Sequence, residues 1–421
     1  MKRILPLVPL LFAFSALAEE APLKNIKING WGFFRHETKK DADYDSAKKD
    51  KTEFSQTRIN VQMKADLAEN YGHVFFGPQF SKISGQDEFV SGEAANTRTS
   101  TSGGLYDSRL DIHEAYFAIK PTQDERFYVF AGRQELAYGD HLVLGSVPWH
   151  RIGRSFDGVK ARYQFADNLT LDAFSMKLQE NNSAANDLRG QDADLHGAYL
   201  MGSFGPNVKN ADLYLLRKNN QNGNITDTSA YGLRLKSKIG ESNFDYRVEG
   251  TLEQVRLAGE SSIKKSEYQY DVELGWTLPF YTTRVAAEYF DSSRDYDQLF
   301  PTAHKWVGFA DQFSRRNLKG YVAHLSTKPI EKVTFFADYH VFQRHDNKRA
   351  AFNFGGGSLG DQGSSRDVAQ ELDLIVAYDF TKTLQLSYGY SWVMAGKYLK
   401  DQNASKTTDT NWSYLQLLAR F

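Results

Sequence analysis

Several segments of this chain alternate strictly between apolar and polar residues. In residues 58–67, five apolar side chains alternate with five polar ones, and the same period of two recurs in residues 159–165, 231–238, 268–276 and 371–378. A period of two is typical of a β-strand that has one apolar and one polar face. The pattern therefore predicts an all-β protein built from amphipathic strands.

Strand-like runs of this kind begin at about eighteen places. They start near Ile26, Arg58, Tyr71, Arg109, Arg126, Phe156, Leu169, Ala193, Lys209, Ser229, Asn243, Tyr268, Thr283, Leu318, Lys332, Val368, Thr383 and Asn411. An even division of the chain leaves about 22 residues for each strand and its connection, which suits strands of about ten residues.

The connections between these runs alternate between short and long. The short ones are residues 68–70, 121–125, 166–168, 205–207, 239–242, 279–280, 328–330 and 380–382. The long ones include residues 37–53, 83–108, 136–154, 292–317, 344–367 and 396–410. A soluble β-sandwich has no reason to keep its long loops on one side, whereas a membrane barrel has short periplasmic turns and long extracellular loops. We therefore predict a transmembrane antiparallel β-barrel of about 18 strands around an aqueous lumen.

Two apolar positions test the register of this barrel. Leu274 and Val376 lie in uninterrupted apolar sets, and we expect both side chains to face lipid. A slip of one residue in either strand would turn the side chain into the lumen instead.

The first residues of the chain indicate export. Basic residues at positions 2 and 3 are followed by an apolar run over residues 4–17, and a small-x-small site ends at Ala18. The run of about 14 residues is too short for a transmembrane helix, which needs about 20. We predict a cleavable signal peptide over residues 1–18 and a single transmembrane barrel domain over residues 19–421, located in a Gram-negative outer membrane.

Composition narrows the possible functions. The chain has no cysteine, which excludes disulfides, thiolate metal sites and a cysteine nucleophile. Removing residues 1–18 takes two of the 51 Lys and Arg and none of the 52 Asp and Glu, and it leaves a net charge of −3. That balance argues against a nucleic-acid partner, which would normally require a basic excess. The mean hydropathy of −0.54 and the aromatic content of 14% suit a barrel with a polar interior and aromatic girdles.

Two stretches of the chain resemble the alginate-export porin family. The first covers residues 132–140, which read GRQELAYGD, and continues through residues 144–146, Trp149 and residues 153–159. The second covers residues 300–311, which read FPTAHKWVGFAD. The resemblance implies an 18-stranded monomeric pore with an arginine-lined lumen. It also implies an acidic polysaccharide such as alginate as the cargo, although members of the family need not all carry alginate.

Basic residues that face inward are the physical basis of this transport hypothesis. A ring of lysine or arginine selects anions, and arginine holds a carboxylate through two parallel hydrogen bonds. The candidates for the lumen are Arg58, Lys64, Lys160, Arg162, Arg234, Lys236, Arg247 and Arg284. Alternatively, these cations neutralise acidic residues across the sheet. The acidic residues concerned are Glu249, Asp271, Glu273, Glu288, Glu371 and Asp373.

Arg133 is a further candidate for the lumen, at the end of a strand that precedes a long loop. Its facing is ambiguous, because the residues on both sides of this strand, 127–131, are apolar. We expect it in the lumen, beside a loop that folds inward and narrows the channel. The alternative is that the motif around Arg133 only fixes the position of the loop.

The sequence predicts no cofactor and no metal site. The ten histidines include no His-Glu-x-x-His pattern. We therefore predict an outer-membrane channel, not an enzyme, whose partners are membrane lipid and an anionic polysaccharide or a small hydrophilic solute. A general diffusion porin without strong selectivity is the main alternative, and a barrel enzyme is a lesser one.

Overall fold

The structure, a computed structural model, describes residues 23–47, 50–85, 108–122, 124–179, 193–220, 226–257, 265–403 and 407–421. The predicted signal peptide over residues 1–18 lies outside the described residues.

Eighteen strands form one antiparallel sheet in this described part of the chain. They are β1 Leu23–Lys40, β2 Lys51–Leu67, β3 Gly72–Gly85, β4 Ser108–Ile119, β5 Phe127–Gln134, β6 Phe156–Ala166, β7 Leu169–Gln179, β8 Ala193–Gly202, β9 Asn210–Asn220, β10 Asp227–Lys238, β11 Phe244–Arg256, β12 Lys265–Thr277, β13 Arg284–Ser292, β14 Leu318–Ile330, β15 Val333–Arg344, β16 Asp367–Asp379, β17 Leu384–Ala395 and β18 Thr410–Arg420. Each strand pairs with the next, and β1 also pairs with β18, from Trp31 opposite Arg420 to Lys40 opposite Asn411. The sheet is thus a closed barrel, and the predicted fold is confirmed.

The connections divide between the two ends of the barrel by length. At one end they run from two residues, as at 331–332, to seven residues, as at 120–126. At the other end, the longest of the connections that the structure describes in full are residues 135–155, 293–317 and 345–366. The predicted alternation of short and long connections is confirmed, and we refer to the two ends as the short-turn end and the long-loop end.

The pairing register separates an outer apolar face from an inner polar face. Leu274 on β12 is 51% exposed and lies opposite Ala287, whereas its neighbour Glu273 lies opposite Glu288. Val376 on β16 is 41% exposed and is likewise on the outer face. The outward facing that we predicted for Leu274 and Val376 is confirmed, so the predicted register is right on both strands.

The barrel interior contains two clusters of buried apolar side chains, to which the long loops contribute. Leu142 and Val143 of the first long loop pack in one cluster, and Val307 and Phe313 of the second pack in the other. The short helix α1, Lys397–Asn403, also adds its buried Tyr398 to the second cluster. Among the described residues, no helix is long and apolar enough to cross a membrane.

Candidate functional site

Most of the basic residues predicted for the lumen do point into the barrel. The register identifies the inner face: Arg162 on β6 lies opposite Asp172 on β7, and Arg234 on β10 lies opposite Asp212 on β9. The inward-facing candidates are Arg58, Lys64, Lys160, Arg162, Arg234, Lys236, Arg247 and Arg284.

The placement of Arg133 in the lumen is wrong. Arg133 lies opposite Asp157 on the outer face, with Nη2 2.6 Å from Oδ2 and Nε 2.8 Å from Oδ1 of that aspartate. Its strand β5 is apolar on both faces because the inner aromatic rings pack against lumen cations. The ammonium of Lys160, for example, lies 4.6 Å from the centre of the Phe130 ring. The sequence of β5 therefore does not alternate between apolar and polar residues, and it could not indicate which way Arg133 faces.

Two of the inward arginines are buried in ion pairs. Arg247 contacts Asp271 at 2.7 Å, Glu288 at 2.7 Å and Glu273 at 3.0 Å. A buried charge needs partners of opposite sign, and Arg247 has three carboxylates around one guanidinium. Arg247 therefore neutralises acidic residues across the sheet, as in the alternative interpretation. A solute in the lumen does not meet it as a free charge.

Arg234 is the second buried arginine. It donates to Asp212 at 2.8 Å and to Asp140 at 2.6 Å, and its side chain is only 6% exposed. Asp140 does not belong to the barrel wall, because it lies in the long loop over residues 135–155. Arg234 therefore ties this loop to β10.

Other inward cations keep an exposed face. The side chains of Lys236, Arg162 and Arg284 are 46%, 40% and 30% exposed although each has a carboxylate partner. Lys64 is exposed and forms no ion pair with any described residue. Lys160 is partly buried, forms no direct ion pair with a described residue and packs against the Phe130 ring. Lys64, Lys236 and Arg284 all lie within three residues of the short-turn end of their strands. The accessible positive charge is therefore concentrated towards the short-turn half of the barrel.

The loop over residues 135–155 folds into the lumen through specific contacts. The Tyr138 ring stacks on Tyr199 at 4.3 Å, and its hydroxyl donates to Asp172 at 2.8 Å. Gly139 precedes Asp140 with a positive φ of +56°, and a Cβ there would lie 2.9 Å from Cδ of Arg234. A glycine is needed here because the backbone is left-handed and close to the wall.

Residues 149–150, near the end of the same loop, contact strands β1 and β2 on the opposite side of the barrel. Arg35 on β1 donates to the carbonyl of Trp149 at 2.9 Å, and its guanidinium lies 3.7 Å from the centre of a Trp149 ring. Arg58 on β2 donates to the carbonyl of His150 at 3.0 Å. Arg58 thus supports the loop, so its charge is engaged by loop carbonyls instead of facing the open lumen.

The second inward loop, residues 293–317, covers the acidic wall. Buried Arg315 donates to Asp271 at 2.5 Å and lies 3.4 Å from Glu288. The backbone N–H of Ala310 donates to Glu371 at 2.8 Å, in a turn where Gly308 has a φ of +84°. These contacts cover carboxylates on the inner face of the barrel wall.

The two inward loops also contact each other, and the contact joins the two sequence stretches that resemble the porin family. Leu144 and Phe300 form an isolated parallel β-bridge, in which the N–H of Gly145 donates to the carbonyl of Phe300 at 2.8 Å. The rings of Trp149 and His304 stack with centroids 4.3 Å apart. A cavity of about 560 Å³ lies between these loops and the loop over residues 345–366.

Sequence reasoning did not assign roles to several residues that organise the lumen. Asp140, Trp149 and His304 lie within the stretches that carried the family resemblance, but their partners come from distant strands and loops. The structure also gathers the side chains of His113, Glu114 and Glu135 within 4.8 Å of one another. No spacing along the sequence marks that group, because its members come from β4 and from the loop after β5.

The comparisons with known proteins agree with this architecture. Residues 35–413 match the family model described as Alginate export. Among curated protein sequences, none is similar enough to be matched.

Solved structures with the same fold are outer-membrane barrels. OccAB4 of Acinetobacter baumannii superposes with a TM-score of 0.66 at 12% identity, covering 94% of this chain and 98% of its own. OccAB1 of the same species gives 0.65 at 13% identity, covering 94% and 97%. The outer membrane protein OprD of Pseudomonas aeruginosa gives 0.60 at 12% identity, covering 96% and 95%. Together with the match over residues 35–413, the closed barrel identifies this chain as an outer-membrane channel that belongs to the alginate export family.

Proposed function

We propose that this channel passes hydrophilic anions, and that its cargo is an acidic polysaccharide such as alginate. In this proposal the barrel acts as a monomer with its own lumen, and residues 1–18 are a signal peptide that is removed on export. Family membership supports a polysaccharide cargo, and the arrangement of charge in the lumen supports an anionic one.

One observation carries the proposal: the inward acids are covered while several inward cations are not. Asp172, Asp271 and Glu371 are 0% exposed. Lys236 and Arg162, in contrast, have side chains 46% and 40% exposed, and Lys64 is exposed as well. The more open acids of the inner face, Asp245 and Asp338, have side chains 26% and 19% exposed, and Glu135 of the first inward loop is 34% exposed. A solute in the lumen therefore meets positive groups more readily than negative ones.

Electrostatics makes this difference in exposure important. The low-dielectric wall of a pore concentrates the field of the groups that line it, so local geometry outweighs a net charge of −3 for the chain without residues 1–18. Buried Asp271 is paired with Arg315, and buried Glu371 is covered by the second inward loop, whose Ala310 N–H donates to it. Lysine and arginine along the path then favour anions, and arginine fits the planar carboxylate of a uronic acid.

The main rival is a general diffusion porin, and blocker experiments separate the two. The purified channel is recorded in planar bilayers with alginate oligomers, a neutral oligosaccharide of equal length and a cationic peptide. The proposal expects current block by the alginate oligomers alone. Equal weak block by all three indicates a general porin, and block by the cationic peptide alone contradicts the proposal.

A further inference from the structure

A group of potential metal ligands lies where the first inward loop leaves the barrel wall. His113 and Glu114 are consecutive residues of β4, and Glu135 directly follows the last residue of β5. Nε2 of His113 is 2.7 Å from Oε1 of Glu135, and the N–H of Glu135 donates to Oε1 of Glu114 at 3.2 Å. One imidazole nitrogen and two carboxylates thus converge on one point, with ligand atoms within 4.8 Å of one another.

An irregularity in β4 creates this convergence. The register with β3 shifts between the pairs Gly77–Glu114 and Pro78–Ile112, so His113 has no partner of its own. Such a bulge breaks the alternation of faces and redirects a side chain. Ile112 faces outward at 45% exposure, while His113 is 5% exposed on the inner side next to Glu114. Without the bulge, consecutive residues would point to opposite faces.

Among the described residues, no lysine or arginine is in direct contact with the two carboxylates of the group, and Lys160 and Arg58 act on them only from a longer distance. Within the described part of the chain, the His113 imidazole is the one ion-pair partner of Glu135. Two carboxylates held this close repel each other unless a proton or a cation is shared. Arg58 is near, but its guanidinium is bonded to Asn60 and to loop carbonyls.

A second group with the same composition shows what a protein-neutralised arrangement looks like. Glu273, Glu288 and His324 also offer ligand atoms within 4.8 Å of one another. There, however, Arg247 lies 3.0 Å from Glu273 and 2.7 Å from Glu288. Guanidinium groups occupy the carboxylates, so this second group has no need of a metal ion.

We propose that His113, Glu114 and Glu135 form a binding site for one divalent transition metal ion, and that Zn²⁺ is the ion it prefers. A mixed nitrogen and oxygen ligand set suits zinc, whereas calcium prefers oxygen ligands alone. Ligands at about 2.1 Å from a tetrahedral ion lie about 3.4 Å apart. His113 Nε2 and Glu135 Oε1, now 2.7 Å apart, therefore have to separate by about 0.7 Å, while a pair as far apart as 4.8 Å would have to close by about 1.4 Å. Glu135, with a side chain 34% exposed, has the freedom to make that movement.

The site has a structural consequence for the lumen. Glu135 begins the first inward loop, and Gly153 near its end packs against the same histidine, since a Cβ on Gly153 would lie 2.5 Å from Cε1 of His113. A metal ion at His113 therefore fixes both ends of the loop to β4. This role is independent of the solute that the channel carries.

Zinc binding is measured on the full-length, untagged protein in detergent after metal has been removed with a chelator. Titration against a chromophoric competitor is expected to show one tight site per chain. His113→Ala and Glu135→Gln are expected to weaken it about 100-fold or more, because even residues that only support metal ligands contribute 10- to 100-fold. His324→Ala, in the arginine-neutralised group, is the matched control and is expected to bind zinc as the wild type does.

Folding is checked for every variant by the heat-dependent gel mobility that is typical of intact barrels, and hydrogen exchange over residues 135–155 gives a second measurement. Zinc is expected to slow exchange in this loop in the wild type and not in His113→Ala. Two results would overturn the site: a wild type with no zinc site tighter than that of folded His113→Ala, or a site lost in His324→Ala and kept in His113→Ala.

Discussion

The carboxylate of Asp140 lies 2.6 Å from Nη2 of Arg234 and 2.8 Å from Nζ of Lys236, so one loop residue neutralises two cations of the barrel wall. Removing the charge of Asp140 should therefore change both the electrostatics of the lumen and the position of the loop over residues 135–155.

Asp140→Asn is expected to increase the preference of the channel for chloride over potassium and to raise its conductance. The reason is that Lys236 becomes a free cation, while Arg234 keeps Asp212 at 2.8 Å. Single-channel recording in a salt gradient measures both quantities. Asp157→Asn is the matched control, since its partner Arg133 lies on the outer face. An Asp140→Asn channel with wild-type selectivity would show that this carboxylate does not control the path.

The same contact predicts a pH dependence. Burial raises the pKa of Asp140, but the hydrogen bond from Lys236 and the charge of Arg234 outweigh burial and hold the pKa well below its usual range. A carboxyl with a lowered pKa stabilises the folded contact above its unfolded pKa of about 4, and this stabilisation is lost as the pH falls through the lowered value. The difference in conductance between wild type and Asp140→Asn should thus stay constant from pH 8 to pH 5. A difference that disappears near pH 6 would contradict the contact.

Outward-facing positions are expected to be sensitive to charge. Leu274 lies between Tyr270 and Trp276 on the outer face of β12, and Val376 occupies a similar position on β16. Leu274→Arg and Val376→Arg should each lower the free energy of unfolding by about 2 to 4 kcal/mol near the bilayer midplane, and by less near an interface. Denaturant titration in lipid vesicles measures the loss. The inward control is Gln385→Arg, whose new guanidinium can pair with Asp379, the present partner of Gln385 at 2.8 Å. An equal loss of unfolding free energy in Gln385→Arg would mean that the cost of the new charge does not depend on whether the side chain faces lipid or the lumen.

Gly308 allows the backbone of the second inward loop to approach Glu371. A Cβ at this position would lie 2.1 Å from the carboxylate, so Gly308→Ala should displace the loop and make residues 293–317 more sensitive to protease. Gly356 has nearly the same φ, +83°, with nothing within 4 Å of a Cβ. Gly356→Ala therefore shares the backbone strain and lacks the clash. If the two variants resist protease equally, the close approach to Glu371 is not what fixes the loop.

The strands could be predicted from sequence wherever one face meets lipid and the other meets water. β6, β7, β8 and β14 begin at the predicted residues Phe156, Leu169, Ala193 and Leu318. The start of β2 was missed by seven residues because Lys51–Thr57 is largely polar on both faces, and Arg133 was misplaced because β5 is apolar on both faces.

The path of the inward loops was beyond the reach of sequence patterns. A loop has no period, and the partners of its residues depend on a three-dimensional route. The contact of Asp140 with Arg234 joins residues 94 positions apart, and that of Trp149 with His304 joins two separate loops. Both stretches carried the resemblance to the porin family, but only the structure shows that they are in contact.

Accessible lumen cations should make the channel select anions, and the reversal potential in a potassium chloride gradient measures this preference. Lys64 and Lys160 form no direct ion pair with any described residue, so Lys64→Ser with Lys160→Ser removes two positive charges from the lumen without breaking a direct ion pair. The control is Arg133→Ser with Lys177→Ser, which removes two charges from the outer face.

We expect a wild-type channel that prefers chloride, a shift towards potassium in the lumen variant and no shift in the outer-face control. The shift should be larger at about 0.1 M salt than at about 1 M, because the screening length falls from about 10 Å to about 3 Å. A wild-type channel that prefers potassium, or equal shifts in the two variants, would contradict the account.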